Sequence, residues 1–166
     1  MKRFSLDTFL PYQSHYAIVA GATAAGHRMH YLDEGSGPVV ILLHGNPTWC
    51  FYYRNLFRDL RQYFRVIAPD HIGCGLSDHP TDAHFRAVDR IGHLQELLRQ
   101  LNINKFSLVM HDWGGPIGTG LAVRMIPSIE RLVYLNTTLT ETESLPRVIK
   151  TAANPLIGPL LTKYTK

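Results

Sequence analysis

FSLVMHDWGGPIG, at residues 106–118, is the stretch of sequence that decides the fold. Its first part, residues 106–110, is a largely apolar run that is typical of a strand buried on both faces. A single carboxylate, Asp112, follows this run and precedes Gly114 and Gly115. A strand, one reactive side chain and a glycine-led helix form the pattern of a nucleophile elbow, in which glycines let the helix pack closely on the strand.

Strand and helix patterns alternate on both sides of this stretch. Apolar runs predict further strands at 39–43, 64–68 and 132–135. Apolar residues at helical spacing predict helices at 49–60, 88–101 and 113–125. Residues 16–19 and 27–33 predict an antiparallel hairpin joined through 21–26. The sequence therefore predicts an α/β fold with a mostly parallel sheet, helices on both faces and an N-terminal antiparallel hairpin.

The composition predicts a globular protein without a nucleic-acid or membrane surface. The chain has 166 residues, of which 45% are hydrophobic and 18% charged, and this length suits a single domain. Its 17 lysines and arginines are scattered, so the net charge of +4 indicates a solvated exterior. No apolar run approaches the roughly 20 residues of a membrane span, and no signal peptide is recognised. Cys50 and Cys74 suit small packing thiols in a reducing compartment, so we expect a cytoplasmic protein.

The C-terminal part of the chain differs in character from the rest. Residues 1–137 carry the alternating pattern and are interpreted as one α/β core. Residues 138–166 are first polar and then apolar with three interspersed prolines, and no further strand–helix unit follows. This segment is interpreted as a linker and the start of a new element.

Candidate site residues lie where predicted parallel strands end, because the loops at those ends line one crevice. Three segments occupy such positions, namely 44–48 (HGNPT), 70–77 (DHIGCGLS) and 111–115 (HDWGG). A carboxylate at an elbow attacks a saturated carbon and displaces a leaving group, which forms an ester on Asp112. The simpler interpretation of the last segment is a tight turn with an N-capping aspartate.

Asn46 and Trp113 are the candidate donors beside that carboxylate. Each follows a predicted strand, and their backbone N–H groups match the usual positions of an oxyanion hole. Their side chains add an amide NH₂ and an indole N–H, which suit a departing anion. The alternatives are a turn residue before proline and a core aromatic. The residues that frame these donors are His44, Gly45, Pro47, His111, Gly114 and Gly115.

Neither a metal nor a cofactor is expected from the sequence. The glycines of residues 73–78 lack the third glycine of a dinucleotide loop and the Lys-Ser/Thr of a phosphate loop. They predict a structural loop near the pocket. His44, His71 and His111 all lie in turn motifs, and their spacings match no common metal-binding pattern.

Three motifs together resemble those of the haloalkane dehalogenases of the α/β-hydrolase superfamily. They are HGNPT at 44–48, PDHIGCGLSD at 69–78 and HDWGGPIG at 111–118. The resemblance implies that Asp112 is the nucleophile and that Asn46 and Trp113 stabilise the halide. It also implies that the partner is a small-molecule substrate, a haloalkane or a similar apolar electrophile. It also implies a second step, in which a late histidine, oriented by an acid, activates water to cleave the ester.

The sequence departs from that family in its second half. No histidine follows His111, and Asn136 stands where some relatives carry the acid. Glu141 and Glu143 are better explained as part of a polar linker. We therefore expect a truncated chain that contains the N-terminal portion of the enzyme and, as written, does not complete a hydrolytic cycle. The resemblance implies that residues 1–137 are the N-terminal part of the α/β-hydrolase core and that residues 138–166 are a linker and the beginning of a helical cap.

Other functions fit the same motifs. The β-lactone decarboxylases of olefin biosynthesis share HGNPTW, HIGCGLSD and HDWGGPIG, and they would use Asp112 on a lactone. Epoxide hydrolases share HDWGG but usually carry glycine where Met110 stands and another residue where Asn46 stands. The resemblance favours the dehalogenase modestly. A hypothesis of another class is a truncated, non-catalytic α/β module that binds a ligand or has no role.

Overall fold

The computed structural model describes residues 8–20, 26–81 and 85–138. Strands and helices in these ranges are β1 (Ser14–Ala20), β2 (Gly26–Glu34), β3 (Val39–Leu43), α1 (Arg54–Leu60), β4 (Arg65–Pro69), α2 (Ala87–Gln100), β5 (Phe106–His111), α3 (Gly114–Arg124) and β6 (Ile129–Leu135). Single 3₁₀ turns cover Cys50–Tyr53 and Ile126–Ser128. None of the helices in the described ranges combines the length and apolar character that a membrane span requires.

One sheet holds the six strands in the order β1-β2-β4-β3-β5-β6. β1 pairs antiparallel with β2, and β2 pairs antiparallel with β4. β3 lies parallel to β4 and β5, and β5 lies parallel to β6. The predicted α/β fold with an N-terminal antiparallel hairpin is confirmed. The connection at 21–25 and the expected cap after residue 138 lie outside the described residues.

Alternate residues of the central strands enter two hydrophobic cores, one on each face of the sheet. Ile41 and Leu43 belong to the core that α2 and α3 cover. Val40 and Leu42 belong to the opposite core, which contains Phe57 of α1. This period of two follows from the strand pleat, which directs successive side chains to opposite faces. Helices therefore lie on both faces, as the sequence predicts.

Most element boundaries lie within two residues of the sequence-based prediction, and two differ by more. The predicted helix at 49–60 begins as a 3₁₀ turn and becomes α-helical only at Arg54. At its start, the N–H of Cys50 donates to the Asp70 carboxylate at 2.7 Å, a tertiary contact that helical periodicity does not report. β6 begins at Ile129, three residues before the predicted strand, and its first half is polar. This strand lies at the sheet edge and is largely exposed, so charged residues fit it.

A buried carboxylate, Asp70, joins three parts of the chain at the end of β4. Its Oδ2 accepts hydrogen bonds from the His30 ring Nδ1 and the Leu76 N–H, each at 2.9 Å. Its Oδ1 accepts from the Cys50 N–H. Burial alone would raise the pKa of Asp70, but the hydrogen bonds from His30, Leu76 and Cys50 outweigh it and lower the pKa below its usual value. Asp70 thus holds β2, the segment after β3 and the loop after β4 together.

Asp70→Asn tests this junction in the full-length protein. We expect a loss of about 3 kcal/mol in the free energy of unfolding at pH 7, because buried donors lose a charged acceptor. The folded-state pKa of Asp70 is lowered, so its contribution is present above the unfolded pKa of about 4 and is lost as the pH falls through the folded value. Urea unfolding between pH 7 and pH 3 should therefore show the difference from wild type shrinking in acid.

Asp59→Asn is the matched control for this substitution. Asp59 pairs with Arg58 on the surface, where both side chains are about 60% exposed, so its loss should change stability little. Equal unfolding curves for Asp70→Asn and wild type at pH 7 would contradict the role given to Asp70.

Candidate active site

Asp112 lies at a sharp turn between β5 and α3. Its φ is 51°, in the left-handed region that side chains other than glycine rarely adopt. The Asp112 carbonyl accepts hydrogen bonds from the Gly115 N–H, at 2.9 Å, and from the Thr137 hydroxyl. These contacts hold the turn and present the Asp112 side chain at the carboxyl edge of the parallel strands.

Glycines around this turn allow the backbone to come close. A Cβ at Gly114 would overlap the carbonyl oxygen of Leu43, the last residue of the neighbouring strand. A Cβ at Gly45 would overlap the Asp112 carboxylate, and one at Gly115 would overlap the Thr137 side chain. The first two overlaps involve the elbow itself, so any larger residue at position 45 or 114 displaces it.

The structure brings Asn46 and Asp112 together. The Asn46 N–H donates to Asp112 Oδ1 at 2.9 Å, although the two residues are 66 positions apart in sequence. This contact follows from the sheet, because β3 and β5 are parallel neighbours with Leu43 beside Met110. The Asn46–Pro47 peptide bond is cis. Trp113 follows Asp112 at the start of α3, is half-buried and packs against the core under α2 and α3.

One histidine in each of the three motifs lies beside the candidate site. His44 is fully buried, donates from Nδ1 to the Gly45 carbonyl at 2.8 Å and accepts at Nε2 from the His71 N–H at 3.0 Å. Burial lowers the pKa of His44 and takes the pKa of His71 well below its usual value, so both rings are neutral at pH 7. His111 is half-buried and stacks on Tyr52, with ring centroids 4.3 Å apart.

Two residues near Asn46 were not singled out from the sequence. Arg90 of α2 donates from Nη1 to Asn46 Oδ1 at 3.2 Å, and the Cys74 thiol lies 3.8 Å from the same oxygen. The sequence does indicate that Arg90 faces the core, because Arg90 precedes Leu94 and Leu97 by four and seven positions and so lies on the same face of the helix. An arginine on the apolar stripe of a helix indicates a buried charge with a specific partner.

The segment at 70–77 is a structural loop, as the sequence predicts. Gly73 and Gly75 have φ values of 87° and 54°, and a Cβ at Gly75 would overlap the Asp70 carboxylate. The Ser77 hydroxyl donates to the Asp70 carbonyl at 2.7 Å. The loop therefore closes over the Asp70 junction beside the candidate site.

One group of potential metal ligands occurs among the described residues, namely His30, Cys50 and Asp70, whose ligand atoms lie within 4.8 Å of one another. The His30 ring uses Nδ1 for Asp70 and Nε2 for the Ser14 hydroxyl at 3.0 Å. Both Asp70 oxygens already accept hydrogen bonds. These donors and acceptors are satisfied by the protein, which fits a structural junction rather than a metal site.

Comparison with known families places these features in context. The model of the alpha/beta hydrolase fold family matches residues 38–154. A cis-3-alkyl-4-alkyloxetan-2-one decarboxylase of Shewanella oneidensis is 44% identical over 164 residues, which cover 95% of this chain and 50% of that protein. Haloalkane dehalogenase 2 of Mycobacterium tuberculosis is 39% identical over 110 residues, which cover 66% of this chain and 38% of that protein.

A solved structure of an enzyme is also similar to this chain. The epoxide hydrolase CorEH matches with a TM-score of 0.76 and 30% identity, over 91% of this chain and 56% of that chain. The chain spans half or less of the length of the two curated relatives. All three relatives are enzymes, as their names state.

Two glycine substitutions on α3 test the close approach at the elbow. We expect Gly114→Ala to lower the free energy of unfolding by about 3 kcal/mol, because the new methyl group meets the rigid backbone of Leu43. Gly120→Ala is the control, since its methyl group meets only the tip of the Ile91 side chain, which can rotate away. It should stay within about 1 kcal/mol of wild type. Thermal and urea unfolding of the full-length variants measure both changes in the free energy of unfolding. Equal losses of stability in the two variants would contradict the close approach of Gly114 to Leu43.

Proposed function

The chain belongs to the alpha/beta hydrolase fold family and is haloalkane dehalogenase-like within it, and from that premise we propose that it carries the nucleophile of a β-lactone decarboxylase. The proposed substrates are cis-3-alkyl-4-alkyloxetan-2-ones, and Asp112 is the proposed nucleophile. The observation that carries the proposal is the hydrogen bond from the Asn46 N–H to Asp112 Oδ1 at 2.9 Å, at a turn with positive φ.

That hydrogen bond supports different roles for the two carboxylate oxygens of Asp112. Oδ1 is held by the Asn46 backbone, which fixes the plane of the carboxylate. Oδ2 is then the oxygen that we assign to attack a saturated carbon, the reaction expected of a carboxylate nucleophile. A carboxylate held in one orientation reacts with less loss of entropy than a mobile one.

The proposed reaction balances without water. Oδ2 of Asp112 bonds to C4 of the four-membered ring as the C4–O bond breaks, and the ring oxygen becomes part of a free carboxylate. The electrons of the bond between C3 and that carboxylate then form the C3–C4 double bond. The Asp112 carboxylate leaves C4 at the same time, so carbon dioxide and an alkene are released and Asp112 is regenerated.

Asn46 and Trp113 are the proposed donors for the negative charge that develops on the leaving group. The side-chain amide of Asn46 and the indole of Trp113 each present N–H groups and follow strands that end at the same edge. Fixed donors aimed at developing charge lower the barrier because they need no reorganisation during the reaction. The same donors would suit a carboxylate or a halide.

The extent of similarity favours the lactone over the haloalkane. The decarboxylase relative matches 95% of this chain at 44% identity, whereas haloalkane dehalogenase 2 matches 66% at 39%. Dehalogenation remains the second candidate because the three motifs of the site resemble that family. In that reaction Asp112 displaces halide, and water cleaves the resulting ester. Epoxide opening is a third use of the same attack, supported by the structural likeness at 30% identity.

Asp112→Asn tests the nucleophile in the full-length protein. We expect the rate of carbon dioxide release from a cis-3,4-dialkyl β-lactone to fall at least about 1000-fold, because the amide is a poor nucleophile. Gas chromatography of the alkene and ion chromatography of halide measure the lactone and haloalkane reactions side by side. Asp59→Asn, a surface carboxylate on α1, is the control and should retain full activity. Activity of Asp112→Asn within tenfold of wild type would exclude Asp112 as the nucleophile.

Turnover in H₂¹⁸O separates the two leading reactions. Halide displacement leaves ¹⁸O in the Asp112 carboxylate, because water attacks the ester at Cγ. Decarboxylation returns the original oxygens. Mass spectrometry of the peptide that contains Asp112 therefore reports the reaction, and ¹⁸O incorporation with the lactone would contradict the proposed bond-breaking sequence.

A further inference from the structure

Arg90 is a buried charge next to the candidate site. It lies on α2 and is only 5% exposed. Its Nη1 donates to Asn46 Oδ1 at 3.2 Å, and its Nη2 lies 3.9 Å from the Cys74 sulfur. Its guanidinium carbon also lies 6.0 Å from the centre of the Phe85 ring. Through Asn46, whose N–H binds Asp112, Arg90 is one residue removed from the proposed nucleophile.

The charge of Arg90 is not neutralised by a carboxylate in the part of the chain that the structure describes. Two other arginines of the same region do have carboxylate partners, since Arg86 pairs with Asp89 at 2.9 Å and Arg99 pairs with Glu96. A guanidinium stays protonated in proteins even where burial disfavours its charge. Burying an unpaired charge lowers the free energy of unfolding, so a buried Arg90 points to a function for its positive potential.

The hydrogen bond from Arg90 determines how the Asn46 side chain is oriented. A guanidinium has donors and no acceptor, so the atom that faces it must be the amide oxygen and not the NH₂ group. The Cys74 thiol approaches the same oxygen at 3.8 Å, and burial raises the thiol pKa, so it remains a donor. Both contacts leave the two N–H groups of Asn46 for another acceptor.

We propose that Arg90 is a positioning residue that aims the Asn46 amide at the leaving group and polarises that amide. This inference rests on the function proposed above and deepens it by adding a residue to the site for the departing anion. The positive charge polarises the amide, which strengthens its N–H donors toward an anion. Arg90 therefore contributes to anion affinity and to the step in which negative charge develops, without contact with the substrate.

Arg90→Met in the full-length protein tests this role, with sodium bromide as the anion probe. We expect the dissociation constant of bromide, followed by tryptophan fluorescence or calorimetry, to rise about tenfold. We also expect kcat of the proposed reaction to fall about tenfold or more while KM changes less. Arg90→Lys keeps the charge but not the planar geometry, so its values should lie between those of Arg90→Met and wild type. Arg99→Met, on an exposed ion pair of the same helix, should behave as wild type.

A double-mutant cycle with Asn46→Ala shows whether Arg90 acts through Asn46. If it does, Arg90→Met should change bromide affinity and kcat less than about twofold in the Asn46→Ala background. An unchanged tenfold effect in that background, or no effect of Arg90→Met alone, would overturn the inference. Circular dichroism melting confirms that each variant is folded, and Arg90→Lys provides the comparison if Arg90→Met is not.

Covalent capture on Asp112 separates failure of this inference from failure of the proposed function. Formation of the ester on Asp112 at a rate that does not depend on Arg90 would overturn only the role of Arg90. Absence of any ester on Asp112 in the wild-type protein would overturn the proposed function and this inference with it.

Discussion

The left-handed backbone conformation of Asp112 is the constraint on which the rest of the site depends. A strand can pass into a helix this sharply only if the residue at the turn takes a positive φ and the neighbours carry no side chain in the way. Gly114 meets this need against the Leu43 carbonyl, and Gly45 meets it against the Asp112 carboxylate. The strained turn persists because the parallel pairing of β3 with β5 fixes both strands that lead into it, one toward Gly45 and the other toward Asp112. The carboxylate is therefore presented at a fixed position rather than on a mobile loop.

A second carboxylate, Asp70, has the opposite role. It is fully buried and satisfied by His30, Cys50 and Leu76, so it stabilises the loops around the site and is not free to react. Asp112 is only half-buried and has Asn46 as its neighbour at the open edge of the strands. The two aspartates differ in burial and in hydrogen bonding, which fits the different roles proposed for them, and the local sequence alone does not distinguish them.

The sequence allows most of the fold and part of the site to be predicted, for identifiable physical reasons. A continuous apolar run marks β3 and a largely apolar run marks β5, because both faces of these strands are mostly buried. Their parallel pairing places Asn46 beside Asp112. The start of β6 was missed because an edge strand tolerates charge. Arg90 was missed because its partner, Asn46, is 44 positions away and periodicity reports only that the position faces inward. Local sequence patterns do not report contacts between residues so far apart in the chain.

The most direct test of the central claim is rapid quenching of the full-length protein with a cis-3,4-dialkyl β-lactone, followed by mass spectrometry of its peptides. We expect a transient adduct on the peptide that contains Asp112. The adduct has the mass of the intact lactone and disappears as the alkene is released. Asp112→Asn should show no such adduct. Alkene formation without an adduct on Asp112, or with an adduct on another residue, would contradict the claim that the carboxylate at this elbow is the nucleophile.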